Sequence, residues 1–296
     1  MTGSAFARFH PWVNFIYFAG AIVFSVAVVH PVCMAFGLIG AALFYILLSG
    51  RKCIRRLLGL LVLFIFITAI NPLFNTYGSR VLFSVFGRPY TFEALCYGAQ
   101  VAAMLVSMLL WFGCYNAVLT SDKFTALFSS LAPSLSLLLV MVFRMVPNFI
   151  KKGNQLISAR RSIGKGAGET ASKKEQLADS MNILSALTSW AFEGGIATSD
   201  SMKARGYGCT KRSSFMIYRF TARDTALLAA ELILLAAMLF FALKGAFTAE
   251  YTPVMEIAPV SGAGAAGFAL YALYMLLPSI IDIREDLNWS ILRSKI

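Results

Sequence analysis

Residues 12–29, 32–48, 57–74 and 94–119 contain no Asp, Glu, Lys or Arg. Each stretch is close to the roughly 20 residues that a helix rising about 1.5 Å per residue needs to cross about 30 Å of hydrocarbon. Two later apolar stretches, 225–243 and 260–281, are interrupted only by Glu231 and by Pro278. The pattern predicts six spans. His30-Pro31 marks a tight turn between the first two, because proline disfavours helical geometry in the residue before it, and Asn71-Pro72 marks the end of the third. Small residues at Gly37, Gly40 and Ala41, and at Gly262, Gly264 and Gly267, are expected to admit close helix contacts, with Asn14, Asn71, Gln100 and Asn116 hydrogen-bonding between helices.

The polar segments set the orientation. Arg51, Lys52, Arg55 and Arg56 follow the second span with no acid among them, which places that loop in the cytoplasm. The connection after the third span carries only Arg80, Arg88 and Glu93 and suits the outside. Residues 120–222 hold fourteen Lys or Arg against six Asp or Glu, eight of the chain's twelve net positive charges. An even span count then puts both termini inside. The expected organisation is a four-helix membrane region at 1–119, a cytoplasmic helical region at 120–222, and two further spans with a short cytoplasmic tail at 223–296. Residues 131–150 are apolar enough to suggest a seventh span. Crossing there would put Lys151, Lys152, Arg160, Arg161 and Lys165 on the face opposite the first cationic loop, and would bury Arg144 at about 2.5 kcal/mol or more. An interfacial or protein-covered helix is the better fit.

Within the basic block, Val142, Met145, Val146, Phe149, Leu156 and Ile157 recur at helical spacing as an apolar stripe, with Arg144, Asn148, Lys151, Lys152, Gln155 and Ser158 off it. Pro147 is expected to kink that helix. Glycines at 164, 166 and 168 read as a turn. A second helix is predicted over 173–205, loosened at Gly194-Gly195 and stopped by Gly206 and Gly208. Both helices end in arginine, which the partial negative charge of a helix C-terminus favours by about 0.3 to 1 kcal/mol whatever else the arginine does.

Composition agrees with the span count. The 296 residues are 58% hydrophobic and 14% charged, with mean hydropathy +0.72, against about half apolar and a quarter charged in soluble domains. A secreted enzyme or compact cytosolic domain is excluded. The +12 charge needs no nucleic acid to explain it, since excess Lys and Arg marks cytoplasmic loops. Cys33, Cys53, Cys96, Cys114 and Cys209 make no CxxC pair, and with only His10 and His30 beside them neither a zinc site nor a disulfide framework is expected. No A-x-A cleavage site follows the first apolar run, so that run is expected to stay as a helix. There is no G-x-x-x-x-G-K-[ST] phosphate loop and no H-E-x-x-H or G-x-S-x-G motif. The chain is expected not to be an enzyme and to hold no cofactor. Glu231, about 9 Å into its span, reads either as a proton or ion site or as an acid that finds a partner in the bundle or the interface; the second is the reading taken.

The segment Asp200-Ser201-Met202-Lys203-Ala204-Arg205-Gly206-Tyr207-Gly208, followed by Lys211-Arg212, Tyr218-Arg219-Phe220 and Arg223-Asp224, closely resembles the transmembrane T component of energy-coupling factor transporters. Phe143-Arg144-Met145-Val146-Pro147 with Ser158-Ala159-Arg160-Arg161 looks like that family's first coupling-helix region, and the resemblance runs over about 10–224. It implies an all-α membrane scaffold whose long cytoplasmic coupling helices dock on two ABC-type ATPases, which use the ATP, while a small substrate-binding S component packs on the same scaffold and carries a vitamin or metal ion. The family's second docking motif is matched by Ala204, Arg205 and Gly206. The first departs from the pattern, since Ala159 is followed by Arg160-Arg161-Ser162 and either arginine fits the role. A self-contained secondary transporter and a conventional ABC permease are the competing readings.

Overall fold

The computed structural model describes residues 4–50, 53–75, 78, 80–85, 88–131, 133–164, 172–209, 218–250, 256–257, 259 and 262–293. Arg51, Lys52, Lys165, Gly166, Gly168, Lys211, Arg212 and Lys295 lie outside the described residues. Among those described the chain is all-α apart from two short hairpins: α1 (Pro11–Ala27), α2 (Pro31–Ser49), α3 (Cys53–Phe74), α4 (Phe92–Val118), α5 (Ser121–Leu131), α6 (Pro133–Ser162), α7 (Lys173–Ala204), α8 (Ala222–Leu243) and α9 (Ala263–Arg293), with strands β1 (Val81–Val85), β2 (Arg88–Thr91), β3 (Ala249–Glu250) and β4 (Glu256–Ile257). Five helices, α2, α3, α4, α8 and α9, are long and apolar enough to cross a membrane, and α1 is a shorter apolar helix. This is a multi-pass membrane protein. α6, for all its 30 residues, is not one of the five.

Two compact units divide the chain. The first joins Met1–Phe124 to Tyr218–Ile296, so the membrane regions expected at the two ends of the sequence fold together; the second is Thr125–Ile217.

In the first unit, α1 and α2 start identically. His10 and His30 are the N-caps, each accepting the backbone N–H two residues on (3.2 and 3.3 Å), and Pro11 and Pro31 take the first helical position, where a missing N–H costs nothing. His30 is buried against Phe268, with ring centroids 4.6 Å apart. The core is aromatic. Phe6, Tyr17, Phe18, Phe44 and Trp111 are all fully buried and pack mostly edge to face, Phe6 on Tyr17 at 5.1 Å and Tyr17 on Trp111 at 5.8 Å.

Apolar burial between helices gains little in lipid, so close backbone approach and hydrogen bonding count for more. Gly40 supplies the first, since a Cβ there would lie 2.7 Å from the Met275 carbonyl of α9. Hydrogen bonding comes from tyrosines rather than from the expected amides. Tyr17 Oη donates to the Tyr274 carbonyl (3.2 Å), and Tyr274 Oη donates back to the Tyr17 carbonyl (2.9 Å), a reciprocal clamp between α1 and α9. Asn14 instead donates to Phe9 just before its own helix, and Asn71 accepts from Asn75 one turn on.

Three element boundaries differ from those read in the sequence. α3 continues through Asn71-Pro72 to Phe74. Pro72 cannot donate to the Thr68 carbonyl one turn back, and Gly98 of α4 faces that oxygen, where a Cβ would come within 2.9 Å. The following connection forms the β1–β2 hairpin, built on the β-favouring run Val81-Leu82-Phe83-Ser84-Val85. α9 does not stop at Ile281 but runs on to Arg293, about 46 Å in all.

Candidate functional site

The second unit presents its two long helices side by side. Phe149 packs edge-on against Trp190 at 5.4 Å, Lys152 lies over the same ring at 6.0 Å, a Cβ on Gly153 would reach Leu187 at 3.8 Å, and Arg160 pairs with Asp179 at 2.5 Å. Residue numbers rise on α6 as they fall on α7, so the pair is an antiparallel hairpin. Pro147 and Gly194-Gly195 fall within stretches that stay helical throughout.

Local chemistry fixes where each rod begins and ends. α7 opens on a reciprocal capping box: Ser172 Oγ accepts the Glu175 N–H and the Glu175 carboxylate accepts the Ser172 N–H. It closes on a Schellman turn. Gly206, at φ +81°, gives its N–H to Lys203, and Tyr207 gives its N–H to Met202. α6 also stops at a glycine in the left-handed region, Gly164 at φ +71°, which donates to the Arg161 carbonyl.

The sequence-predicted residues fall at opposite ends of this hairpin. Ala159, Arg160 and Arg161 lie in the last turn of α6; Ala204 ends α7, Arg205 caps it, and Gly206 turns the chain. From the level of Asp179, opposite Arg160, α7 climbs about 39 Å to residue 205. Arg205 and Arg161 are exposed, with no ion pair among the described residues. Arg160 is half-buried and engaged with Asp179, a partner that spacing along the sequence does not reveal.

Comparison with protein-family models gives no match, and no curated protein matches the chain.

The surfaces of the hairpin are unusually apolar. Leu177, Met181, Leu184, Phe192 and Ile196 recur at helical spacing along α7, every one more than half exposed. On α6 the predicted stripe splits in two. Met145, Phe149 and Leu156 are half-buried on the side that carries the Trp190 contact, whereas Val142, Val146 and Ile157 are exposed, as are Arg144, Asn148, Lys151, Gln155 and Ser158.

The membrane unit ends at Phe124 and resumes at Tyr218, and short-range contacts hold the chain at both points. Lys123 Nζ donates to the carbonyls of Ala7 and Val118. Phe220 stacks on His10 at 3.8 Å, and Tyr218 meets the same ring edge-on at 6.0 Å. Asp224 accepts the His10 N–H (3.0 Å) while completing a capping box with Thr221. Asp282 accepts from Ser4 Oγ and the Phe6 N–H, both at 2.9 Å, and Arg8 pairs with Glu285. Residues 4–10 therefore tie together the flanks of both chain crossings. Burial pulls the His10 imidazole below its ordinary value, against the opposing pull of the Asp224 charge and the Tyr218 backbone; burial likewise lowers the Lys123 ammonium. Sequence reasoning missed this cluster, although Thr221-x-x-Asp224 and Ser172-x-x-Glu175 are both legible as capping boxes.

Proposed function

We propose that this chain is the transmembrane scaffold of an energy-coupling factor importer in the plasma membrane, with both termini in the cytoplasm, two ABC-type ATPases on its helical hairpin and an S component that carries a vitamin or metal ion beside it. On this reading it catalyses nothing. ATP hydrolysis in the partners shifts α6 and α7, and the membrane unit passes that movement to the S component.

One observation carries the proposal: two long rods each finish in an exposed arginine at a glycine stop, at opposite ends of one hairpin. A guanidinium keeps its charge and offers five donors in a rigid fork, so it holds carboxylates or backbone carbonyls of a partner while the contact is under strain. Two such tips about 39 Å apart suit two copies of a partner better than one. Arg161 takes the first docking role, because Arg160 is already engaged with Asp179.

Co-purification tests this. Replacing a desolvated interface charge costs about 2 to 5 kcal/mol, roughly 30- to several-thousand-fold in affinity. Arg205→Glu and Arg161→Glu should each deplete ATPases from the purified complex and abolish uptake at unchanged membrane yield. Recovery of the ATPases at wild-type levels with both variants would remove the assignment, as would ATP-independent transport by the lone chain in liposomes.

A further inference from the structure

Among the described residues, the buried acids of the membrane unit are matched with donors, with one exception. Asp224 and Asp282 accept the bonds given above, and Glu93 accepts the Arg80 N–H at 3.3 Å. Glu231, in the interior of α8, is 0% exposed, and neither of its carboxyl oxygens meets a donor among the described residues. Among the described residues, none takes the part of the partner expected for it.

Its surroundings cannot balance a charge. α8 packs against α9 and α1. The titratable neighbours these helices bring to Glu231 are Tyr274 and Tyr17, and both hydroxyls already donate to backbone carbonyls in the α1–α9 clamp. Tyr271 of α9 and Cys114 of α4 stand beyond them, around Tyr17. The cations on these three helices are Arg223, Arg284 and Arg293, all toward helix ends, and Arg223 is eight residues from Glu231, about 12 Å along the axis. A bare carboxylate in such a place loses its hydration for nothing in return. A metal ion is a poor remedy, since no group of three His, Cys, Asp or Glu side chains gathers among the described residues. A proton needs only one oxygen.

We propose that Glu231 is a proton-binding site: one proton on its carboxyl is the ligand that lets α8 close against α1 and α9, and it exchanges with water when α8 parts from them. The site is independent of the coupling assignment. An apolar cavity of about 740 Å³ lies on the same side of α8, lined by Val23, Phe24 and Val28 of the α1 segment and by Leu232, Leu235 and Leu239. Leu235 follows Glu231 by one turn on one helix face. Glu231 does not itself line this cavity, so a lipophilic reagent held there meets the carboxyl only when α8 parts from its neighbours.

The test is made on the purified chain in lipid nanodiscs, with no ATPase present. Dicyclohexylcarbodiimide adds the O–H of a carboxylic acid across its C=N bond, giving an O-acylisourea that rearranges to a stable N-acylurea; nothing leaves, and the acid proton ends on nitrogen. Peptide mass spectrometry should find the adduct at Glu231 at pH 6 to 7, with much less at exposed carboxylates such as Glu175 and Asp200. Thermal unfolding supplies the second readout. Glu231→Gln, neutral and of the same shape, should melt with wild type at low pH. Ionisation is free to occur in the unfolded chain but costs hydration in the folded one, so the wild type should fall progressively below the Gln variant as pH rises above the ordinary carboxylate range of about 4. Parallel pH profiles for the two proteins would overturn the proposal. So would a Gln variant that melts many degrees lower at every pH, the signature of an ionised carboxylate with a partner.

Discussion

His10 shows how one side chain can serve two ends of a fold. Its Nδ1 caps α1, its ring stacks on Phe220, and its backbone N–H is held by Asp224. Because burial lowers its proton affinity in the folded state, the unfolded chain binds the proton more readily, and the stability contributed by the neutral ring is lost as pH falls through about 6.5 and below. Asparagine also caps helices but does not titrate in this range. The expected result is that wild type and His10→Asn melt in parallel above pH 7, while wild type loses ground between pH 7 and 5; a constant gap over that range would contradict the assignment. Arg160 and Asp179 make a second residue-level case. A pair this shielded should couple by about 1 kcal/mol, near the upper end for surface pairs, measurable by a double-mutant cycle on thermal unfolding of the intact chain.

The end of α7 was legible, because a glycine stop is local chemistry. Gly206 stops α7 where its lack of a Cβ suggests, and at φ +81° any L side chain is strained. Gly206→Val should cost about 1 to 2 kcal/mol and fray the Tyr207-to-Met202 bond, with Gly206→Asn milder. Hydrogen exchange at 204–207 would show it; equal protection in the Val variant would mean that the turn is not set by this glycine. Elements defined by distant contacts were harder to read. Residues past Ile281 look like a polar tail because Asp282, Arg284, Glu285 and Asp286 interrupt the apolar run, yet Asp282 is buried by its bonds to Ser4 and Phe6, which lie 276 to 278 positions earlier in the chain. Asn14 and Asn71 do not make the helix links expected of them for a related reason: which side chain faces which helix depends on rotation about each axis, and the tyrosine clamp took that role. Arg205 was visible as a helix-end arginine. That Arg160 is paired and Arg161 exposed needed the α6–α7 packing.

At the scale of the whole molecule, orientation in the bilayer is the property on which both the span count and the coupling proposal bear. The positive-inside bias would put the cations at Arg55 and Arg56 and those of the second unit on one side of the membrane, which requires α3 and α4 to cross out and back between them. A native reporter lies in the right place. Cys209, two turn residues past the end of the Schellman motif, is exposed, whereas Cys33, Cys53 and Cys114 are buried and Cys96 is half-buried. A membrane-impermeant maleimide should therefore label one site, Cys209, in inverted vesicles and leave it untouched in right-side-out vesicles, with Cys209→Ser removing the signal in both. Labelling of Cys209 from the outside would place α7 and its terminal arginine beyond reach of any cytoplasmic ATPase. It would also require an odd number of crossings before residue 209 from a cytoplasmic N-terminus, which the four apolar stretches before α5 do not supply unless α6 itself crosses with Arg144 in hydrocarbon.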